Sequence, residues 1–208
     1  MTRESRPLPS VFIDTGANMH DKTIKLLWET APMKKIESEY LKFLWPMRHY
    51  LISCECGGRT NIIAVGFCMP VSRIPPMVAC AIGKNMYSCE LIRQTGEFVI
   101  NVPTQDMNRQ IYYCGSHSGR DVDKFRETGL TPQSARHVGA PVIGECVAHM
   151  ECRVRQTVDT GDKCLFIATV VDAYADEDVA QGLRMVQYAT GDFPAKIYET
   201  RVTGLDKM

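Results

Sequence analysis

Short apolar runs separated by turn residues dominate the chain from Pro46 onward. The run at residues 146–154 alternates so that Cys152 lies on one face and His149 on the other, as in a strand with period two. The runs that predict strands are 50–54, 61–67, 78–82, 98–102, 146–154, 164–173 and 183–189. Many strands, few helices and frequent turns favour a mainly β fold, a closed or partly closed β-barrel with short connecting helices.

Helical patterns are few and short. The clearest one follows the strand at 78–82, with Ser88 as the predicted N-cap and Gly96 as the end. The other predicted helices cover 21–28, 105–114 with Gly115 just past its end, and 122–128 ending at Gly129.

The distribution of short apolar runs and turn residues divides the chain into three parts. Residues 1–45 are predicted to form an N-terminal extension, 46–178 the barrel, and 179–208 a C-terminal strand and tail that complete the same domain.

Lys and Arg together number 24, as do Asp and Glu together, so the basic excess typical of nucleic-acid binders is missing. No apolar run is long enough to span a bilayer, and the first residues lack the apolar region of a secretory signal. We therefore expect no membrane partner and a cytoplasmic location.

The nine cysteines are odd in number and scattered, which indicates free thiols rather than a disulfide framework. Cys54 and Cys56 form a C-x-C pair, which fits either a redox or metal site or simply small side chains of a strand. Cys146, His149 and Cys152 have a spacing that could suggest zinc, but strand alternation points His149 away from both cysteines. We expect no metal.

Three segments carry candidate chemistry. The helix after Gly83 offers an N-terminus, Lys84 and Ser88 to a phosphate group, and an ordinary capped helix with a solvated lysine is the alternative. Residues 60–67 mix an amide, small residues and an aromatic, so a flat ligand could approach the backbone there. The alternative is a core strand that happens to contain Asn and Gly. Residues 114–125 form a polar, glycine-rich loop. Neither the dinucleotide-binding nor the P-loop fingerprint is present, and no catalytic residue is assigned.

Taken in their order along the chain, these segments resemble the motifs of the flavin reductase-like family of FMN-binding split barrels. The most specific piece is residues 96–102, GEFVINV, which is similar to the family's "geFvvNv" strand. The other matching pieces are 61–67 (NIIAVGF), 70–72 (PVS), 75–78 (PPMV), 81–84 (AIGK), 87–88 (YS), 118–119 (SG), 123–125 (DKF) and 151–154 (ECRV). The resemblance covers about residues 45 to 175 and implies a mainly β, FMN-binding split barrel.

The resemblance also implies a homodimer with FMN at its interface. It places Asn61, Ile62, Ile63, Ala64, Val65 and Gly66 along the isoalloxazine edge, Lys84 and Ser88 at the phosphate, and Asn101 in support of the ring. Ser116, Ser118 and Gly119 would approach the flavin, from the partner subunit or the same one. Arg48 is a further candidate for the cofactor or a nicotinamide phosphate, with a surface arginine as the alternative.

Two functions follow from this resemblance, and a third interpretation competes with both. The first is an NAD(P)H-dependent reductase that passes electrons through FMN to flavin, iron or a partner. The second is a flavoredoxin-like electron carrier that exchanges electrons with a redox protein and not with nicotinamides. The third is a structural barrel without a cofactor. Hydride transfer to a flavin requires no acid–base residue, so the absence of a catalytic constellation does not exclude the first.

Overall fold

The computed structural model describes residues 43–44 and 47–180. The strands are β1 (Tyr50–Cys56), β2 (Arg59–Val65), β3 (Cys68–Ser72), β4 (Met77–Gly83), β5 (Glu97–Val102), β6 (Pro132–Gln133), β7 (Val142–Ile143), β8 (Ala148–Thr160) and β9 (Lys163–Ala175). The helices are α1 (Tyr87–Thr95), α2 (Asn108–Ser116), α3 (Lys124–Thr128) and α4 (Glu177–Ala180), with a 3-10 turn at Gln105–Met107.

Seven of these strands form one antiparallel sheet in the order β2-β1-β5-β8-β9-β4-β3, and β6 pairs with β7. One buried cluster contains Val65 from β2 and Val78 from β4, near opposite ends of that order, together with Phe98 and Phe166 from the middle. The sheet therefore curls around its own apolar face, and the predicted mainly β class is confirmed.

The β1–β2 hairpin shows how local sequence sets this register. Gly57 and Gly58 both have positive φ, 60° and 80°, which suits the two-residue turns that match strand twist. The turn pairs Cys56 with Arg59 and, further along, Cys54 with Asn61. Asn61 is thereby fixed on the side of β2 that faces the barrel interior.

The helix boundaries partly follow the prediction. Gly96 and Gly129 end α1 and α3 in the left-handed conformation, each with φ 71°, as predicted. The predicted N-cap at Ser88 is wrong, because α1 begins at Tyr87 after Met86 and the Ser88 side chain is used elsewhere. Gly115 lies inside α2 rather than past its end, since the helix continues to Ser116.

Most predicted strands are found with somewhat different ends, and strands β3, β6 and β7 were not predicted. β2 begins at Arg59 and ends at Val65 rather than covering 61–67, and Cys68–Ser72 form the separate strand β3. Pro70 is tolerated there because β3 lies at the edge of the described sheet, where a missing N–H leaves no ladder bond open. β8 begins at Ala148 because the N–H of Cys146 instead donates to Ile143 O, at 3.0 Å.

The predicted helix at 21–28 and strand at 183–189 lie outside the described residues, and the domain boundaries at 45–46 and 178–179 stay predictions. Within the described part of the chain, no helix is both long and apolar enough to cross a membrane.

Candidate functional site

A hydrogen bond between β2 and α1 forms the centre of the candidate site. Asn61 Nδ2 donates to Ser88 Oγ at 2.9 Å, and both side chains are buried, at 3% and 0% exposure. Asn61 shares the inward side of β2 with Ile63 and Val65, which contact the same core cluster. This bond joins two segments that the sequence analysis singled out separately, the strand at 61–66 and the start of the helix.

The other polar atom of the Asn61 side chain lacks a partner. Asn61 Oδ1 is buried, and no hydrogen-bond donor of the described residues reaches it. Gly119 lies directly against it, because a Cβ built on Gly119 would stand 2.0 Å from Oδ1. A buried carbonyl oxygen without a donor costs about 1–3 kcal/mol, so this position calls for a donor that the described chain does not supply.

Two arginines flank the first turn of α1. The Arg59 guanidinium lies 5.9 Å from the centroid of the Tyr87 ring, and that of Arg120 lies 5.1 Å away. Arg120 also donates to Asn85 O at 3.0 Å and pairs with Glu90 at 2.9 Å. The Tyr87 hydroxyl is buried and finds no hydrogen-bond partner among residues 47–180. Positive charge therefore collects at the end of α1 where the helix dipole is also positive.

The first turn of α1 also supplies backbone donors. Within the turn, the N–H of Cys89 donates to Met86 O at 3.0 Å, and the N–H groups of Tyr87 and Ser88 precede it. Such leading N–H groups have no acceptor inside a helix. Together with Arg59 and Arg120 they form a setting suited to an anion.

The contacts of Lys84 are with the β8–β9 turn. Its Nζ is 3.7 Å from Asp159 Oδ2, and Asp159 also pairs with Arg93 at 2.6 Å. The backbone N–H of Lys84 donates to Asp162 O at 3.0 Å. Lys84 is thus held toward the β8–β9 turn by a carboxylate, whereas Arg59 forms no ion pair with any described residue.

The outward face of β2 is covered by helices. Ile62 belongs to a second buried cluster with Ala64 packed against it, and a Cβ on Gly115 of α2 would lie 3.4 Å from the Ala64 Cβ. Lys124, only 4% exposed, donates to Ile62 O at 2.8 Å and to Cys114 O at 2.7 Å. Burial lowers the pKa of this ammonium group. Of the predicted isoalloxazine segment, the side chains of Ile62 and Ala64 therefore pack beneath α2.

Residues near the other end of β2 have contacts of their own. A Cβ on Gly66 would lie 3.4 Å from His49 Nε2, so the small residue lets that ring come close. The Arg48 guanidinium lies 5.3 Å from the Tyr50 ring centroid. Burial lowers the pKa of His49, which favours its neutral form.

Asn101 is wholly buried and its amide is fully used. Its Nδ2 donates to Leu51 O at 3.0 Å and to Ser53 Oγ at 2.9 Å. Its Oδ1 accepts the N–H of Ile143 at 3.0 Å and Nδ1 of His149 at 2.9 Å. Asn101 therefore supports the site by holding β1, β5, β7 and β8 together. His149 reaches it from the face of β8 opposite to Cys152, as the predicted alternation requires.

The two predicted serines stabilise the loop that carries Gly119. Ser116 Oγ donates to Tyr112 O at 2.8 Å at the end of α2, and Ser118 Oγ accepts the N–H of Arg120 at 3.2 Å. The structure thus brings Asn61, Ser88 and Gly119 together, whereas the contacts of Arg48, Lys84, Asn101 and Ser116 lie on other elements. Sequence reasoning assigned no role to Arg59, Tyr87, Arg120 or Lys124. Tyr87 and Lys124 nevertheless lie in pieces that resemble the family, and Arg120 and Lys124 lie in the glycine-rich loop at 114–125.

With this geometry established, comparison with known proteins identifies the family. Residues 44–195 match the flavin reductase like domain. The chain belongs to this family. In line with that, the flavoredoxin of Methanosarcina acetivorans has the same fold, with 31% identity and a TM-score of 0.64 over 70% of this chain and 77% of that one.

Two further relatives carry informative names. An FMN-binding domain of a flavin reductases-like enzyme from Shewanella baltica is 28% identical, with a TM-score of 0.58 over 66% of this chain and 73% of that one. A flavin reductase of Pseudomonas putida is 28% identical over 121 residues, which are 58% of this chain and 68% of that protein. The predicted split barrel is confirmed, and the family is one of flavoproteins.

Proposed function

We propose that this protein binds FMN at the Asn61–Ser88–Gly119 site and acts as an oxidoreductase that passes electrons from NAD(P)H through the flavin to an acceptor. The observation that carries the proposal is the buried Asn61 Oδ1, which lacks a donor and is approached by a glycine that has no room for a Cβ. Family membership gives the kind of ligand, because relatives of this chain are named as FMN-binding.

The residues present fit both ends of an FMN molecule. A flavin ring edge carries an N–H group that complements Asn61 Oδ1, and the backbone of β2 as far as Gly66 offers further polar groups. A phosphate suits the leading N–H groups of α1, with Arg59 and Arg120 both near the Tyr87 ring. Lys84 would add charge from the side of Asp159.

Bound FMN supplies the redox chemistry, since it accepts a hydride and releases electrons to a second partner. The chain's own residues bind and orient it. Ser88 fixes the Asn61 amide by accepting its N–H, and Lys124 holds the backbone of β2 at Ile62. Asn101 keeps β1 and β5 in register behind them. None of these residues has to exchange a proton with the substrate for hydride transfer to proceed.

A flavoredoxin-like electron carrier is the second candidate, and the likeness to the flavoredoxin of M. acetivorans favours it. The two candidates differ in the electron donor. To separate them, the FMN-loaded protein is mixed without air with NADH, with NADPH, or with a reduced redox protein, and the oxidised flavin absorbance is followed. Loss of the band within seconds of adding a nicotinamide supports the reductase. A band that responds only to the protein donor overturns it in favour of the carrier.

Free FMN with the same nicotinamides is the control for that experiment, because any slow direct reduction has to be subtracted. A protein that stays colourless and leaves the spectrum of added FMN unchanged would contradict both candidates. A homodimer and a cytoplasmic location stay predictions from the sequence.

The phosphate end of the site leads to a separate prediction. Arg59→Gln should weaken FMN binding about fivefold, because one charge at a helix N-terminus contributes roughly 1 kcal/mol. Riboflavin, which lacks the phosphate, should bind the variant as it binds the unchanged protein. Fluorescence titration with both ligands measures this difference.

Arg155→Gln is the matched control, since Arg155 is an exposed arginine on β8 whose Nε donates to Thr169 Oγ1. It should leave both affinities unchanged. An equal loss for FMN and riboflavin in Arg59→Gln would argue against a phosphate beside Arg59.

A further inference from the structure

Two free thiols face each other across neighbouring strands outside the proposed flavin site. Cys68 in β3 and Cys80 in β4 are direct partners in the antiparallel register. Their Sγ atoms lie 2.9 Å apart, and both residues are unoxidised cysteines. No step proposed for the flavin uses this pair.

The backbone geometry around the pair is the kind in which a disulfide can close. The N–H of Ala81 donates to Phe67 O at 2.9 Å, and these residues flank the pair. This bond makes Cys68 and Cys80 a non-hydrogen-bonded pair, in which facing side chains approach most closely. The Cα spacing of such pairs, about 4.5 Å, lies within the range that disulfides span.

The two thiols differ in access. Cys68 is half-buried on the edge strand β3, whose neighbour Met69 is 59% exposed, whereas Cys80 is 0% exposed. All nine cysteines of the chain lie in the described range, and of these only Cys56 and Cys68 are not buried. The contact with Cys68 and burial together raise the pKa of the Cys80 thiol. A reagent would therefore reach Cys68 first, and Cys80 would act second.

We propose that Cys68 and Cys80 form a thiol–disulfide exchange site that small-molecule disulfides, such as glutathione disulfide, oxidise reversibly. The Cys68 thiolate attacks one sulfur of the disulfide, forms a mixed disulfide and releases the first thiol. The Cys80 thiol then attacks the Cys68 sulfur and displaces the second thiol as a thiolate, which takes up the Cys80 proton. The protein loses two electrons and two protons, and the disulfide is reduced to two thiols.

A third thiol lies near the pair and supplies an internal alternative. Cys152 belongs with Cys80 to the buried cluster against which Cys68 packs, but its Sγ donates to Met150 O at 3.5 Å. Only Cys80 is directly opposite Cys68 in the strand register. We therefore expect a disulfide between Cys68 and Cys80 and none between Cys68 and Cys152.

The test is reaction of the whole folded protein, reduced and freed of reductant, with excess glutathione disulfide. The reagent is then removed, the thiols are titrated in denaturant, and the peptides are mapped by mass spectrometry. Apart from any glutathione adduct on Cys56, we expect a loss of two thiols in a link between the peptides that contain Cys68 and Cys80, and full recovery with dithiothreitol. Cys80→Ser should instead retain one glutathionyl group on Cys68, because the resolving thiol is gone. Cys56→Ser, at the other thiol that is not buried, should still form the link.

A stable glutathione adduct on Cys68 in the unchanged protein would overturn the proposal, as would a link from Cys68 to Cys152. The proposal would also be wrong if Cys68→Ser lost as many thiols as the unchanged protein. Circular dichroism checks that each serine variant is folded, so that a changed thiol count is not caused by unfolding. None of these outcomes depends on bound FMN.

Discussion

Gly119→Ala should weaken FMN binding by about tenfold or more while the barrel stays folded. The new Cβ would lie 2.0 Å from Asn61 Oδ1, a distance at which the loop or the Asn61 amide has to move. Overpacking of this kind costs about 1–3 kcal/mol, and about 1.4 kcal/mol corresponds to a tenfold change in affinity. Titration of the apoprotein with FMN, followed by flavin fluorescence, measures the change.

Gly115→Ala is the matched control. The same methyl group is added a few residues away, where it would lie 3.4 Å from the Ala64 Cβ, an ordinary contact. Because Gly115 is inside α2, alanine there should also favour the helix by roughly 1 kcal/mol. FMN affinity within twofold of the unchanged protein is expected for this variant.

A double variant tests whether the effect of Gly119→Ala passes through Asn61. Asn61→Ala alone should weaken FMN binding, since it removes both the unpaired oxygen and the bond to Ser88. Adding Gly119→Ala should then have less effect than it has alone, because the atom it strikes is absent, and such non-additivity marks residues in contact. Unchanged affinity in both single variants, with normal circular dichroism, would contradict the assignment of this site.

The features predictable from the sequence were those fixed by local chemistry. Gly96 and Gly129 end helices because a left-handed residue is needed at each position, and glycine adopts that conformation without strain. Ser88 was misread as a cap because the same residue type also satisfies a buried amide. Its actual partner, Asn61, is 27 positions away, and no local pattern reports that pairing.

The site itself was predicted as separate pieces rather than as an arrangement. The strand at 61–66, the start of the helix and the glycine loop each carried a signal, but their meeting depends on strand register and helix packing. Lys124 shows the limit most clearly. A lysine in a polar loop reads as solvated, whereas here it is 4% exposed and holds a carbonyl of β2 that is 62 positions away.

Asn101→Leu should cause the largest loss of stability, a fall of about 3–5 kcal/mol in the free energy of unfolding. Leucine fills a similar volume but leaves the N–H of Ile143 and Nδ1 of His149 without their buried partner. It also removes one donor from the oxygens of Leu51 and Ser53. Each such group costs about 1–3 kcal/mol when it is left unpaired. Urea denaturation of the apoprotein, followed by circular dichroism, measures the difference in free energy.

Asn108→Leu makes the same chemical change at an exposed position at the start of α2 and should shift the free energy of unfolding by less than about 0.5 kcal/mol. If Asn101→Leu were equally mild, the network around Asn101 would not be the support that its geometry indicates.

FMN then distinguishes support from contact. A ligand stabilises the folded state by an amount set by its concentration relative to its dissociation constant. Because Asn101 is wholly buried and its amide is already paired with protein groups, saturating FMN should raise the free energy of unfolding of Asn101→Leu by as much as it raises that of the unchanged protein. A smaller increase in the free energy of unfolding of the variant would mean that the Asn101 amide, or one of the strands it holds, contacts the cofactor. The stability loss and the ligand gain are measured in the same titrations, so the two roles of Asn101 separate without any measurement of activity.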